Sequence, residues 1–143
     1  MALNQLTVFV ANEQGALCGI TDTLAAANID IRALSIADTK DFGILRLIVD
    51  GNDAAMKALE DKGYLVKITP VVGVKIGDAP GKLAKALDII DEAEINIEYL
   101  YAFLTRTEKH AYVVIRVEDN DAAEKALENA GFHLITDADV HKL

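Results

Sequence analysis

The chain contains its own plan twice. Asn52-Asp53-Ala54-Ala55-Met56-Lys57-Ala58-Leu59-Glu60-Asp61-Lys62-Gly63 recurs as Asn120-Asp121-Ala122-Ala123-Glu124-Lys125-Ala126-Leu127-Glu128-Asn129-Ala130-Gly131, with nine of the twelve positions identical. An aromatic residue follows each glycine, Tyr64 and Phe132. These blocks stand 68 residues apart. Upstream the spacing is 66: Gly15 meets Gly81, Leu17 meets Leu83, and Ile29-Asp30-Ile31 meets Ile95-Asn96-Ile97. The second copy therefore carries two extra residues, expected in the loop around Thr105 to Lys109. A repeat of this length makes each copy one supersecondary unit. The copies meet near Pro70-Val71, which predicts domains 1–70 and 71–143. No Gly/Ser-rich linker separates them, so they are expected to be closely joined.

Each copy reads as six elements. Leu6 to Val10 is β-branched and aromatic enough for a strand. Asn12 stands where a helix N-cap belongs, and Leu17, Ile20, Leu24 and Ala27 mark one helix face, ended by Asn28. Ile29–Ala37 and Gly43–Val49 read as strands, with Asp41 opening the turn between them. Ala54–Lys62 reads as a helix stopped by Gly63, and Tyr64–Thr69 as a last strand. In the second copy Val71–Ile76 is a strand, and Asp78-Ala79-Pro80 reads as a cap and an early proline. Leu83, Leu87 and Ile90 mark the helix face. Ile95–Leu104, Ala111–Val117 and Phe132–Thr136 are strands, and Asn120–Ala130 is a helix. The order β-α-β-β-α-β, taken twice, predicts an α+β fold of two ferredoxin-like units, each an antiparallel sheet with both helices on one face.

The other face of such a sheet should be polar in a solitary domain. Here Ile95, Ile97, Tyr99, Tyr101 and Phe103 fill one phase of a strand, and Leu100, Ala102 and Leu104 fill the other. Ile29 and Ile31 are likewise in one phase, with Leu34 and Ile36 in the other. Apolar area of that extent marks an interface, which predicts self-association as a homodimer, with mutual burial by the two units of one chain as the alternative.

Composition excludes several classes. With 14 Lys and Arg against 23 Asp and Glu the formal charge is −9, and phosphate backbones would be repelled, so no nucleic-acid partner is expected. One cysteine, Cys18, forms no internal disulfide, and is expected as a small packing residue. No CxxC or Cys/His cluster suits a metal, and neither metal nor cofactor is expected. His110, His133 and His141 show no ligand spacing and read as titrating surface residues. No apolar run is long enough for a membrane span and Met1 to Gln5 shows no basic leader, so a cytoplasmic location is expected.

The recurring polar feature is the loop between the first strand and first helix of each copy. It reads Asn12-Glu13-Gln14-Gly15-Ala16-Leu17 and Asp78-Ala79-Pro80-Gly81-Lys82-Leu83. Glycine there gives an unusual backbone angle or a close approach. The helix start behind it suits a carboxylate.

With Ile95-Asn96-Ile97 fourteen residues beyond Gly81, the second loop resembles the signature of the ACT domain. The first loop, with Ile29-Asp30-Ile31, resembles it more loosely. The resemblance covers nearly the whole chain as two such units. It implies a ferredoxin-like regulatory module that binds an amino acid or related small molecule where two ACT domains meet. Carried over by position, it places the ligand on Asn12, Gln14, Gly15, Ala16 and Leu17 with Asp30, and on Asp78, Gly81, Lys82 and Leu83 with Asn96. The family often has Asn at both the loop and strand positions, and each copy here has Asp at one of them. Backbone N–H groups would take a carboxylate, and Asp or Asn an ammonium. The expected function is a non-catalytic sensor regulating amino-acid metabolism, with a metabolic enzyme as its partner. The alternatives are a regulatory subunit acting by contact without ligand, and a small acylphosphatase-like enzyme. The enzyme would need an arginine in an anion-cradling loop, whereas Arg32, Arg46, Arg106 and Arg116 stand in strands or the inserted loop.

Overall fold

A computed structural model describes residues 3–38, 42–105, 107 and 109–143. The element order is β1 (Leu3–Ala11), α1 (Ala16–Ala26), β2 (Ile31–Asp38), β3 (Phe42–Val49), α2 (Asn52–Asp61), β4 (Leu65–Gly77), α3 (Lys82–Glu92), β5 (Ile97–Ala102), β6 (His110–Val117), α4 (Asn120–Asn129), β7 (His133–Ile135) and α5 (Asp137–Val140). Two compact units result: Asn4–Thr69, and Pro70–Leu143 with Leu3.

In the first unit the strand order is β2-β3-β1-β4, with β3 antiparallel to both its neighbours. Alternate residues of β1 (Leu6, Val8, Val10) and β3 (Leu45, Leu47, Val49) face one core. Ile20 and Leu24 of α1 and Ala55 and Leu59 of α2 close over them. In the second unit β6 pairs antiparallel with β4 and β5, and β7 pairs antiparallel with β4. Val72, Val74 and Ile76 of β4 and Val113, Ile115 and Val117 of β6 meet Ala86, Ile90, Ala123 and Leu127. Period-two strands against 3.6-period helices give both cores. Each unit is the βαββαβ arrangement that the element order predicts.

Several local expectations change. The strands expected at Tyr64–Thr69 and Val71–Ile76 form one strand, β4, which passes through Pro70 without a turn. Proline lacks an N–H but suits extended backbone at a strand position that needs no donor. Its carbonyl accepts from Arg116 Nη1 at 2.6 Å and from Asn120 Nδ2 at 3.0 Å. Asn12 and Asp78 are not helix caps. α1 and α3 start later, behind Gly15 and Gly81 with φ of 86° and 85°, and neither start has a side-chain cap bond. Ala16 N–H bonds the Glu13 carbonyl at 3.3 Å, and Lys82 N–H bonds that of Ala79 at 3.2 Å. A turn therefore precedes each helix, and only a left-handed residue turns it into the first helical turn. Leu17 is 39% exposed, so Ala16, not Leu17, begins the face that α1 packs on the core. Cys18 is exposed rather than packed. Asp41, Arg106 and Glu108 lie outside the described residues.

The apolar phases of β2 and β5 also resolve differently. The β2–β3 register shifts between Ile31 and Ala33, and the β5–β6 register between Ile97 and Tyr99. A bulge adds one residue and so moves the rest of its strand to the other phase. Ile31, Leu34 and Ile36 lie opposite Val49, Leu47 and Leu45, all on the helix side. Ile97, Leu100 and Ala102 lie opposite Val117, Ile115 and Val113, again on the helix side. Tyr99 and Tyr101 face the other way, their rings stacked at 6.4 Å. Much of the apparent two-sided character of these strands is one side interrupted by a bulge.

The helices α1 to α4 share one ending. In α3, Glu94 N–H bonds Asp91 O at 2.9 Å and Ile95 N–H bonds Ile90 O at 3.2 Å, with Glu94 at φ 60°. Gly63 and Gly131 take this left-handed position in α2 and α4, and Asn28 in α1. The position suits glycine, tolerates asparagine and penalises glutamate. Glu94→Gly is therefore expected to stabilise the protein by up to about 1 kcal/mol, and Asn28→Gly to be nearly neutral, in urea unfolding. A loss of stability in Glu94→Gly would refute this account of the helix end.

The sequence reading missed α5. Thr136 N–H and Oγ donate to Asp139 Oδ2 at 3.0 and 3.2 Å. The backbone hydrogen bond from Thr136 holds the Asp139 carboxyl below its ordinary range. In α4, burial and then Asp121 push Glu124 up.

Candidate functional site

In the first unit the loop after β1 is exposed from Asn12 to Gly15. Beside it lies a cavity of about 100 Å³, lined by Val10, Ala11, Asn12, Glu13, Ala16 and Leu17 with Ile36 and Gly43. Three of the predicted residues, Asn12, Ala16 and Leu17, thus line one hollow, and Gln14 and Gly15 belong to the same turn. A Cβ added at Gly15 would meet nothing within 4 Å. The glycine is there for its backbone angle, not for lack of room.

In the second unit Asp78 N–H bonds the Lys109 carbonyl at 2.8 Å, which ties the loop to the chain entering β6. Asp78, Gly81 and Lys82 are exposed, and Leu83 packs against the core. A larger cavity of about 340 Å³ opens here. Of the predicted residues Lys82 lines it, together with Lys75, Lys85, His110 and His133. The sequence reading singled out neither Lys75 nor Lys85, and took the histidines as scattered. Strand pairing brings them together, and that register is not legible in one chain.

Asp30 and Asn96 are not beside these loops within their own units. Ile31 pairs with Val49, whereas the loop follows Ala11, which pairs with Phe42. Seven residues of strand separate the two ends of β3, about 20 Å. Ile97 pairs with Val117 while Gly77 pairs with His110, which gives the second unit the same layout. Asp30 Oδ2 also lies 3.4 Å from Arg32 Nε, so its carboxylate already has a cation nearby. The chemistry of each loop is that of a helix N-terminus: beyond the turn, first-turn N–H groups have no intrahelical acceptor and carry partial positive charge. Among the described residues no group of three or more His, Cys, Asp or Glu could hold a metal ion. No described helix is long and apolar enough to cross a membrane.

Two βαββαβ units with matching glycine turns coincide with a match to the ACT domain pair family over residues 1–143. The chain belongs to the ACT domain family. Protein BT0572 from Bacteroides thetaiotaomicron is 40% identical, with a TM-score of 0.92 over 100% of this chain and 98% of that one. The regulatory subunit of aspartate kinase from Thermus thermophilus, in its ligand-free form, is 20% identical, with a TM-score of 0.67 over 92% of this chain and 94% of that one. Aspartate kinase from Synechocystis is 22% identical, with a TM-score of 0.55 over 90% of this ACT pair and 25% of the kinase. No curated protein matches the sequence.

Proposed function

We propose that this ACT pair is a non-catalytic sensor that binds a free amino acid at an ACT–ACT interface and regulates an enzyme of amino-acid metabolism in the cytoplasm. The observation that carries this reading is the duplicated loop. Gly15 and Gly81 hold the same left-handed angle, 86° and 85°, at the start of α1 and α3. The ligand residues we propose are Asn12, Gln14, Gly15, Ala16 and Leu17 with Asp30, and Asp78, Gly81, Lys82 and Leu83 with Asn96. The helix N-terminus takes the carboxylate and Asp or Asn takes the ammonium. Loop and strand residue stand at opposite ends of one unit, so this reading draws them from different ACT units. The domains we propose are 1–70 and 71–143, and the protein a homodimer. Ile36, Leu65 and Leu104, exposed at 52%, 67% and 64%, support the latter.

A thermal-shift screen of the proteinogenic amino acids tests the sensor. A ligand at a hundredfold its dissociation constant adds about 2.7 kcal/mol of stability, which is a readily visible shift. Gly15→Val and Gly81→Val are expected to weaken the hit. Gly15→Asn and Gly81→Asn keep the left-handed turn and should fold as the parent does. If no amino acid shifts the melting point, or both valine variants bind as tightly as the parent, amino-acid binding at these loops is refuted. The first outcome would favour a regulatory subunit that acts by contact alone.

A further inference from the structure

The cavity of the second unit is lined by basic residues in a chain that is acidic overall. The whole chain has 14 Lys and Arg against 23 Asp and Glu, yet three lysines and two of the three histidines line this one hollow and no carboxylate does among the described residues. Backbone register builds the cluster. Lys75 in β4 is the cross-strand partner of His133 in β7, and Gly77 that of His110 in β6. Paired residues share a face, as do residues two apart, so Lys75, His133 and His110 fall on one face.

Gly77 makes room for a second lysine, Lys82. The stem of Lys82 crosses it with Cγ, Cδ and Cε at 3.1, 3.2 and 3.3 Å from where a Cβ would stand. Lys85 stands one turn further along α3. Three cations elsewhere have carboxylates close by: Lys57 with Asp61 at 3.2 Å, Arg32 with Asp30 at 3.4 Å and Arg116 with Glu98 at 3.4 Å. Among the described residues Lys75, Lys82 and Lys85 make no such pair. Ile76 and Phe132 add apolar surface to the lining. The start of α3 adds its partial positive charge.

We infer that this cavity binds a small polyanion, a compound with two or more clustered negative charges on phosphoryl or carboxylate groups, set against an apolar wall. Clustered lysines act as point charges for such groups. Unlike an amino-acid zwitterion, this ligand needs no carboxylate for an ammonium, and among the described residues no carboxylate lines the cavity. The inference stands apart from the amino-acid reading, although Lys82 is common to both.

The test is titration of the full chain in low salt with pyrophosphate and with citrate, followed by calorimetry and by backbone amide shifts. Saturable binding at about 1 mM or tighter is expected for at least one probe, with the largest shifts at Lys75, Gly77, Lys82, Lys85, His110 and His133. Preference for pyrophosphate assigns phosphoryl chemistry, and preference for citrate assigns carboxylate chemistry. The double variant K82Q/K85Q is expected to weaken binding at least about tenfold, and K82R/K85R to retain it. K75Q alters the cavity but none of the residues proposed for amino-acid binding, so a loss of polyanion binding in K75Q with an unchanged amino-acid response separates the two sites. Absence of saturation with both probes would overturn the inference. Equal weakening by K57Q/K62Q, two lysines of the first unit that do not line the cavity, would do the same, because the binding would then reflect general surface charge.

Discussion

Gly73→Val is expected to be among the most damaging single substitutions in this chain. Gly73 is buried in β4, opposite Ile135 of β7. An added Cβ would lie 2.6 Å from Leu3 Cδ2, 3.1 Å from Ile135 Cβ and 3.3 Å from the Ile135 carbonyl oxygen. The end of Leu3 can swing away, but the Ile135 Cβ and backbone cannot move without shifting β7. That strand pairs with β4 through Gly73–Ile135, Val74–Leu134 and Lys75–His133. Overpacking of one methyl group costs about 1–3 kcal/mol, and valine adds two more carbons. Gly73→Ala is therefore expected near the upper part of that range, and Gly73→Val beyond about 3 kcal/mol. The measurements are urea unfolding and amide exchange, in which protection should be lost first at Leu134 and Ile135. A Gly73→Val protein within about 0.5 kcal/mol of the parent would show that the packing around β7 is looser than described.

Leu59→Ala and Leu127→Ala are expected to cost about 2–5 kcal/mol each, and similar amounts. These leucines are repeat equivalents, both 0% exposed, in α2 and α4. Each carbonyl also accepts the N–H that ends its helix, from Tyr64 at 3.1 Å and from Phe132 at 3.0 Å. The alanine variant keeps that bond and loses only the packing, so the cost reports the cavity left in each core. Against a total stability of about 5–15 kcal/mol, either loss is large. Local amide exchange should respond in residues 4–69 for Leu59→Ala and in 70–143 for Leu127→Ala. A truncation that leaves stability unchanged would contradict the core assignment for its unit.

The architecture was legible because it rests on local and periodic features. The repeated Asn-Asp-Ala-Ala…Ala-Leu-Glu blocks and the leucine and alanine spacing report which helix face is buried, and the β-branched and aromatic content of Leu6–Val10 reports a strand. Those signals need no partner to be read. Gly15 and Gly81 were legible as special positions, and their left-handed angles gave the reason. The precise helix starts were not legible. A polar residue three positions ahead of glycine has the pattern of a cap, and only the preceding turn shows that it is not one. The short helix α5 escaped for a related reason: four residues are too few to show a period.

Sequence by itself determined the βαββαβ order of each unit, the two cores and the duplicated loops, because these depend on spacing along the chain. Tertiary structure alone decided which phase of β2 and β5 turns inward, since a single bulged residue reverses the alternation and leaves no mark in composition. It also decided that Asp30 and Asn96 stand at the opposite end of the sheet from their loops. Finally, it gathered Lys75, Lys82, Lys85, His110 and His133 around one cavity. Those residues are up to 58 positions apart, and only the pairing of β4 with β6 and β7 sets the register that makes them neighbours.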